Sequence, residues 1–143
     1  MKKEIFDEQG RSKGFYSSKN RVNDLTGKDW VFWTRSVINK QYPVNLQHKL
    51  RSLHGGQKPP HLCRDLIKIF TKQGQRVFDP FMGVGGILLG AALCKRQALG
   101  IELNNQWIDI YKEVCKKENI EAKSGKRIAN EGSRVSSGAL TGL

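Results

Sequence analysis

Apolar positions along the chain follow helical spacing in some segments and form short continuous runs in others. The short runs, 76–79 and 98–102, have the length of buried strands. The remaining apolar segments have the length and pattern of helices, over about 26–37, 59–71, 87–95 and 104–115. Helices therefore flank and connect the two strands, which predicts one βαβ unit and a parallel α/β sheet.

Three of these helices are amphipathic, and each predicts a buried stripe. Thr26-Gly27-Lys28-Asp29 resembles a capping box that opens the first helix. Its stripe is Trp30, Trp33 and Val37, for which packing in a core is favoured over stacking on nucleic-acid bases. The helix over about 59–71 has the stripe Leu62, Leu66, Ile67 and Phe70. The helix over about 104–115 has the stripe Trp107, Ile108, Tyr111, Val114 and Cys115.

The pattern divides the chain into three parts. Residues 1–22 are polar without sustained periodicity and predict a loosely held arm, whereas 124–143 are rich in small residues and predict an irregular tail. Residues 23–123 predict one domain, with 39–57 as a connecting loop. A Rossmann-like sheet normally has six or seven strands, and only two are recognisable here. The predicted fold class is therefore an incomplete Rossmann-like α/β fold with parallel strands and flanking helices.

Composition narrows the class of protein. A chain of 143 residues suffices for one domain, and 38% hydrophobic residues is an ordinary globular content. The sequence has no apolar run long enough for a membrane span and no secretory leader, so a soluble cytoplasmic protein is expected. Cys63, Cys94 and Cys115 lack metal-ligand spacing, which predicts reduced, partly buried thiols and no metal site.

The charge is strongly basic and unevenly distributed. The net charge is +12, and residues 1–75 contribute 15 basic and 6 acidic side chains. Basic and aromatic residues interleave there, as at Lys13, Phe15, Tyr16 and Lys19. This excess favours a polyanionic partner such as nucleic acid, although basic surfaces also serve solubility alone.

The glycine-rich turn after the first strand carries the candidate chemistry. Glycines allow close approach of a ligand, and Glu102, 23 residues after Asp79, is placed to accept hydrogen bonds from ribose hydroxyls. A dinucleotide fingerprint fails because its third glycine would fall on Leu88. Asp79 would repel a pyrophosphate and suits a cationic ligand such as S-adenosylmethionine. The alternative is that Asp79 merely caps the turn.

Asp79-Pro80-Phe81-Met82-Gly83-Val84-Gly85 resembles the signature of the N4-cytosine and N6-adenine DNA methyltransferases. Gln57-Lys58-Pro59-Pro60 is similar to the motif of that family that lines the methionine end of the cofactor site, and Leu99-Gly100-Ile101-Glu102 to the ribose-binding motif. The resemblance covers residues 54–115 and implies a methyltransferase that binds S-adenosylmethionine and acts on DNA. It implies these cofactor-binding residues: Lys58, Pro59, Asp79, Phe81, Gly83, Gly85, Glu102 and Leu103.

Two departures from the family pattern affect the expected activity. Gly86 stands where the family usually has threonine at or near this position. The larger departure is that no Asp/Asn/Ser-Pro-Pro-aromatic motif occurs in the sequence, since the only Pro-Pro pair lies in Lys58-Pro59-Pro60-His61. In the family that motif accepts the N–H bonds of the target amine and stacks on the flipped base. We therefore expect no catalytic residues here and a truncated, split or decayed enzyme.

Three interpretations of the function remain at this point. The first is the cofactor-binding part of a DNA amino-methyltransferase, with DNA as a partner and a companion polypeptide as the source of the catalytic motif. The second is a small basic nucleic-acid-binding module with a vestigial cofactor loop. The third is a fragment of an RNA methyltransferase.

Overall fold

The structure, a computed structural model, describes residues 2–7, 9–17 and 19–121. Its elements, in chain order, are β1 (Lys2–Phe6), β2 (Ser12–Ser17), α1 (Gly27–Trp33), α2 (His48–Arg51) with a 3₁₀ turn (Ser52–His54), α3 (Pro60–Phe70), β3 (Arg76–Asp79), α4 (Gly86–Leu93), β4 (Gln97–Gly100) and α5 (Asn105–Lys117). The tail predicted over 124–143 lies outside the described residues, as do the last two residues of the domain predicted over 23–123. None of the described helices is long and apolar enough to cross a membrane.

The predicted βαβ unit is confirmed. Strands β3 and β4 pair in parallel, from Arg76 opposite Gln97 to Asp79 opposite Gly100, and α4 connects them. The second strand ends two residues before its predicted end. The hydrogen-bond ladder nevertheless continues, because the Ile101 amide donates to the Asp79 carbonyl at 3.0 Å. The fold class is therefore α/β, a partial Rossmann-like fold with parallel strands and flanking helices, as predicted.

Helix α4 lies at the centre of the core and is buried on nearly every side. Its Leu88 and Leu89 pack with Tyr111 and Val114 of α5, while Ala91 packs with Ile67 of α3. This environment explains why the segment is continuously apolar rather than amphipathic. On β3, Val77 faces this core, whereas Phe78 points the other way and is 50% exposed. The helices thus cover one face of the described parallel strands.

Strands β1 and β2 pair as an antiparallel hairpin, in a part of the chain for which the sequence predicted a loosely held arm. Lys2 pairs with Ser17 and Phe6 with Ser12, with an irregularity in register near Ile5. Phe6 and Phe15 are each 56% exposed. Apolar and polar residues alternate along a strand when one of its faces is buried. In this hairpin both of these aromatic side chains are largely exposed. The sequence therefore lacked the signal of a strand.

The predicted capping box of helix α1 is confirmed, but its tryptophans are not buried in a core as predicted. The Thr26 side chain accepts from the Asp29 amide, and the Asp29 side chain accepts from the Thr26 amide. The helix ends at Trp33, however, and none of its residues is buried. Val37 lies beyond the helix and is 75% exposed. Thr34 closes α1 with its amide bonded to the Trp30 carbonyl, so the predicted stripe does not continue.

The buried stripe predicted for α3 is also partly wrong. Ile67 is buried, but Leu66 is 40% and Phe70 is 70% exposed. The buried side of the helix is shifted from the predicted one: Cys63 and Ile67 face α4. Ile69 is also buried, and its carbonyl accepts a 2.6 Å hydrogen bond from the buried Asn23 side chain. The stripe predicted for α5 fits better, because only Trp107 of its five residues is not fully buried.

The three cysteines are free and all buried, where the sequence predicted reduced, partly buried thiols. Burial raises the pKa of Cys63 to about 11 and also raises the pKa of Cys94 and Cys115. Such thiols are poor nucleophiles at neutral pH. The described residues contain no group of His, Cys, Asp or Glu side chains that could hold a metal ion.

Candidate functional site

The glycine-rich loop lies at the carboxyl ends of β3 and β4, where parallel α/β sheets bind ligands. The Met82 amide donates to the Ile101 carbonyl at 3.0 Å, which ties the loop to the end of β4. The Gly85 amide donates to the Met82 carbonyl at 2.8 Å and turns the chain into α4. The structure therefore brings Asp79, Gly83, Gly85 and Glu102 together at the carboxyl ends of the two strands.

The Glu102 carboxylate holds this loop in place through hydrogen bonds. One of its carboxylate oxygens accepts the Gly83 amide at 3.0 Å, and the other accepts the amides of Leu103 at 2.8 Å and Asn104 at 2.9 Å. A carboxylate offers about four lone-pair sites, so about one remains for a ligand. Glu102, which the sequence singled out by its spacing from Asp79, thus contacts the loop that follows β3 directly.

Asp79 is 8% exposed and caps the turn. One of its side-chain oxygens accepts the Phe81 amide at 3.1 Å. Through this hydrogen bond Asp79 has the capping role that its sequence position also allowed. A ligand-binding role for Asp79 remains a prediction.

Two glycines of the loop adopt positive φ, and each is covered by a side chain that the sequence did not identify as part of the site. Gly83 has φ +50, and the His54 Nε2 atom lies 3.0 Å from the position that a Cβ would occupy. Gly85 has φ +75 and lies under the Tyr111 ring, whose Cδ2 a Cβ would overlap. His54 in turn contacts Trp107 edge-on, with ring centroids 4.9 Å apart. No spacing rule links His54 to Gly83, because the contact joins separate segments.

Lys58 and Pro59 precede α3 and are both exposed. The Lys58 carbonyl lies 2.8 Å from the position of a Cβ on Gly86, so this segment packs directly on the start of α4. The contact gives a physical reason for glycine rather than threonine at residue 86 in this structure. It also places the Lys58-Pro59 segment beside the loop.

Arg51 holds the segment that leads to Lys58 and is 1% exposed. Its guanidinium donates to the carbonyls of Leu46 at 2.7 Å and Asn45 at 2.9 Å and to the Gln57 side chain at 2.7 Å. Burial lowers the pKa of Arg51. The sequence predicted only a loop over 39–57, because hydrogen bonds of this kind leave no apolar periodicity.

Two large apolar side chains flank the carboxylates and are open to solvent. Phe81 is 88% exposed and Leu103 is 73% exposed. Both were predicted as cofactor-binding residues. Their exposure leaves them accessible to a ligand, and their role in cofactor binding remains a prediction.

A cavity of about 500 Å³ lies elsewhere. It is lined by residues that begin β4, including Gln97 and Ala98, and by Ile120 after α5. This is the amino end of the parallel strands, opposite the glycine-rich loop. Its position argues against a role in ligand binding at the loop, and we assign the site from the loop geometry.

The sequence matches the model of one protein family, the N6/N4 methyltransferases described as DNA methylase, over residues 3–113. Among curated proteins, it is 29% identical to the type II methyltransferase M2.DpnII of Streptococcus pneumoniae over 114 residues, which is 79% of the chain and 40% of the relative. It is 32% identical to a tRNA (guanine(10)-N2)-dimethyltransferase of Methanocaldococcus jannaschii over 101 residues, 63% of the chain and 29% of the relative.

Solved structures give the same picture. The fold is similar to that of TTHA0409 of Thermus thermophilus, a protein assigned as a DNA modification methylase, with a TM-score of 0.52 and 25% identity over 76% of the chain and 44% of that protein. TTHA0409 has also been solved with S-adenosyl-L-methionine, and that structure matches with a TM-score of 0.50 and 24% identity over 76% of the chain and 42% of that protein. The chain spans at most 40% of the length of the first curated relatives that it matches.

Proposed function

The chain belongs to the N6/N4 DNA methylase family, and from that premise we propose that its glycine-rich loop binds S-adenosylmethionine for methyl transfer to an amino group of DNA. The proposed cofactor site comprises Lys58, Pro59, Asp79, Phe81, Gly83, Gly85, Glu102 and Leu103. The observation that carries the proposal is the bond between the Glu102 carboxylate and the Gly83 amide, which holds the acid at the mouth of the loop.

The chemistry of these residues fits the parts of the cofactor. The remaining lone pair of Glu102 suits a ribose hydroxyl, and Phe81 and Leu103 offer apolar surface to the adenine ring. Asp79 provides negative charge for the ammonium or sulfonium of the methionine part. The solved complex of TTHA0409 with S-adenosyl-L-methionine supports the same cofactor for this fold.

The test of the cofactor is calorimetry with S-adenosylmethionine, S-adenosylhomocysteine and NAD. We expect both methionine-derived ligands to bind and NAD to bind at least about tenfold more weakly, because a carboxylate at the loop repels a pyrophosphate. S-adenosylhomocysteine, which lacks the methyl group and the positive sulfonium, measures how much that charged group contributes to binding. Binding of NAD as tight as that of S-adenosylmethionine would contradict the proposed cofactor.

We propose further that the target amine is positioned by residues other than these 143, such as those of a companion polypeptide. The Pro-Pro-aromatic motif is absent from the sequence, and His61 follows its Pro-Pro pair. An exocyclic amine is a weak nucleophile because its lone pair is delocalised into the ring. Loss of positioning can lower a rate by several powers of ten.

The chain alone is therefore expected to transfer no measurable methyl group to DNA. The measurement is incubation of duplex DNA with tritiated S-adenosylmethionine and the purified chain, with an active DNA methyltransferase as the positive control. Transfer by the chain alone would contradict this expectation. Transfer only after addition of a companion polypeptide that contains the motif would support a split enzyme.

The second candidate is methyl transfer to RNA, which the relationship to the tRNA dimethyltransferase of Methanocaldococcus jannaschii favours. The same assay with tRNA as the acceptor, in the presence of the companion polypeptide, separates the two substrates. Transfer to tRNA in preference to DNA would replace the first candidate with the second.

A further inference from the structure

A second pocket lies between α1 and α3, away from the glycine-rich loop. Its volume is about 280 Å³. Its walls come from three parts of the chain: the hairpin, α1 with the segment after it, and α3. We call it the α1–α3 pocket. Nothing in the proposed cofactor site uses it.

The pocket carries an excess of positive charge. Four of its lining residues are cations and two are carboxylates: Lys13, Lys40, Arg64, Lys68, Asp29 and Asp65. Aromatic side chains form part of the same wall, namely Phe32 and Trp33 of α1. Cations beside aromatic faces are typical of surfaces that hold nucleic-acid strands.

Both carboxylates already have cationic partners. Asp65 is 5% exposed and is contacted by Lys40 Nζ at 2.6 Å and by the Arg64 guanidinium at 2.7 Å. Asp29 accepts the Thr26 hydroxyl at 2.8 Å and is contacted by Lys13 Nζ at 3.2 Å. Both carboxylates are therefore already paired. The four cations outnumber the two carboxylates, so the lining of the pocket has an excess of two positive charges.

Lys68 is the cation that stands apart. It is partly buried, and within the described residues it has no hydrogen bond or ion pair, unlike the other three cations of the pocket. Burial, together with the charges of Lys13 and Arg64, lowers the pKa of Lys68. A partly buried ammonium without a partner is stabilised by an anion that enters the pocket.

Tyr42 lies beside one cation of the pocket, Lys40. Its hydroxyl is buried and has no hydrogen bond among the described residues. The Lys40 ammonium lies over the Tyr42 ring at 5.3 Å and over the Trp33 ring at 5.8 Å. Burial and the nearby Asp65 raise the pKa of Tyr42, so its hydroxyl remains a hydrogen-bond donor.

We propose that the α1–α3 pocket binds a phosphate of the DNA backbone, with Lys68 as its principal ligand. The proposal rests on DNA being the substrate. A phosphodiester fits because its negative charge balances part of the excess, and its sugar presents apolar surface to Phe32 and Trp33. Such a contact is independent of base sequence and fixes the position of the duplex relative to the loop.

The test is fluorescence anisotropy with a labelled DNA duplex, comparing the full chain with Lys68→Ala across a series of salt concentrations. We expect Lys68→Ala to weaken binding about three- to tenfold at low salt. The slope of log K against log salt should fall in magnitude by about 1, the value for one lost phosphate contact. Lys68→Arg should retain the wild-type slope, since it keeps the charge.

Lys116→Ala is the matched control, because it removes one exposed lysine from α5, on the far side of α4 from the pocket. It should leave the slope within error of wild type. Equal effects of the two alanine variants, an unchanged slope in Lys68→Ala, or absence of duplex binding by the wild type would each overturn the proposal. Tighter Lys68-dependent binding of an RNA duplex would also overturn the assignment to DNA.

Calorimetry with S-adenosylmethionine on the same samples keeps the two proposals separate. Lys68 lies outside the cofactor site, so Lys68→Ala should bind the cofactor as wild type does and confirm that the variant is folded. The cofactor affinity of the wild type decides the function proposed for the loop. The salt slope decides the pocket, since the cofactor takes no part in that measurement.

Discussion

Replacing Gly85 with alanine is expected to lower the free energy of unfolding by about 3–4 kcal/mol. Two costs add at this position. The positive φ of Gly85 penalises any residue with a Cβ, and the new methyl group overlaps the Tyr111 ring in the core. Tyr111, on α5, is 4% exposed and packs with Leu88 and Leu89 of α4, so the new methyl group displaces a ring of the core. Urea denaturation followed by circular dichroism measures the loss.

Gly74→Ala separates these two costs. Gly74 also has positive φ, +84, but no other atom lies within 4 Å of its Cβ position. This variant should therefore show the backbone cost alone, about 1–2 kcal/mol. In a Tyr111→Ala background, Gly85→Ala should cost no more than Gly74→Ala does, because the overlap is gone. If Gly85→Ala and Gly74→Ala are equally destabilised in the wild-type background, the Tyr111 contact does not constrain the loop.

Glu102→Lys is expected to weaken binding of S-adenosylmethionine by about 2–3 kcal/mol, a factor of about 30–150. The substitution removes the acceptor proposed for the ribose and releases the Gly83 amide. It also brings a positive charge to a site proposed to hold a cationic cofactor. Calorimetry gives the affinity, and circular dichroism shows whether the variant remains folded.

Glu113→Lys is the control for the change of charge. Glu113 is exposed on α5 and pairs only at the surface with Lys117, at 2.7 Å. Exposed pairs of this kind contribute little to stability. The control should bind the cofactor within about twofold of wild type, since it lies outside the proposed site. Equal affinities of wild type and a folded Glu102→Lys would show that Glu102 does not bind the cofactor.

The parts of the fold that the sequence predicted are those that bury apolar side chains in a regular pattern. Strand β3 coincides with its prediction over 76–79, and α5 was recognised by its stripe of Ile108, Tyr111 and Val114. The hairpin over 2–17 was missed because aromatic residues on both of its strands are exposed. Helix α2 was missed because its one buried residue is an arginine.

In the candidate site, too, some residues could be predicted to lie together and others could not. Asp79, Gly83, Gly85 and Glu102 were predictable because the parallel topology brings the ends of adjacent strands together. His54 and Arg51 were not, since their contacts join segments that no local period connects. The tryptophans of α1 were assigned to a core, but in the structure Trp33 lies in the wall of the α1–α3 pocket. Spacing alone does not distinguish a helix face that meets a core from one that meets a cavity.

The contiguity of the site in sequence has a consequence for the order in which the chain folds. His54, Gly83, Glu102 and Tyr111, which surround the loop, all come from the stretch that runs from α2 to α5. The contacts around the loop join residues 19 to 29 positions apart, whereas Lys13 of the hairpin and Asp29 are 16 positions apart. The entropic cost of closing a loop rises only slowly with its length, so neither set of contacts has a large advantage. We therefore expect the glycine-rich loop and the hairpin to form their contacts independently, with neither as a prerequisite for the other.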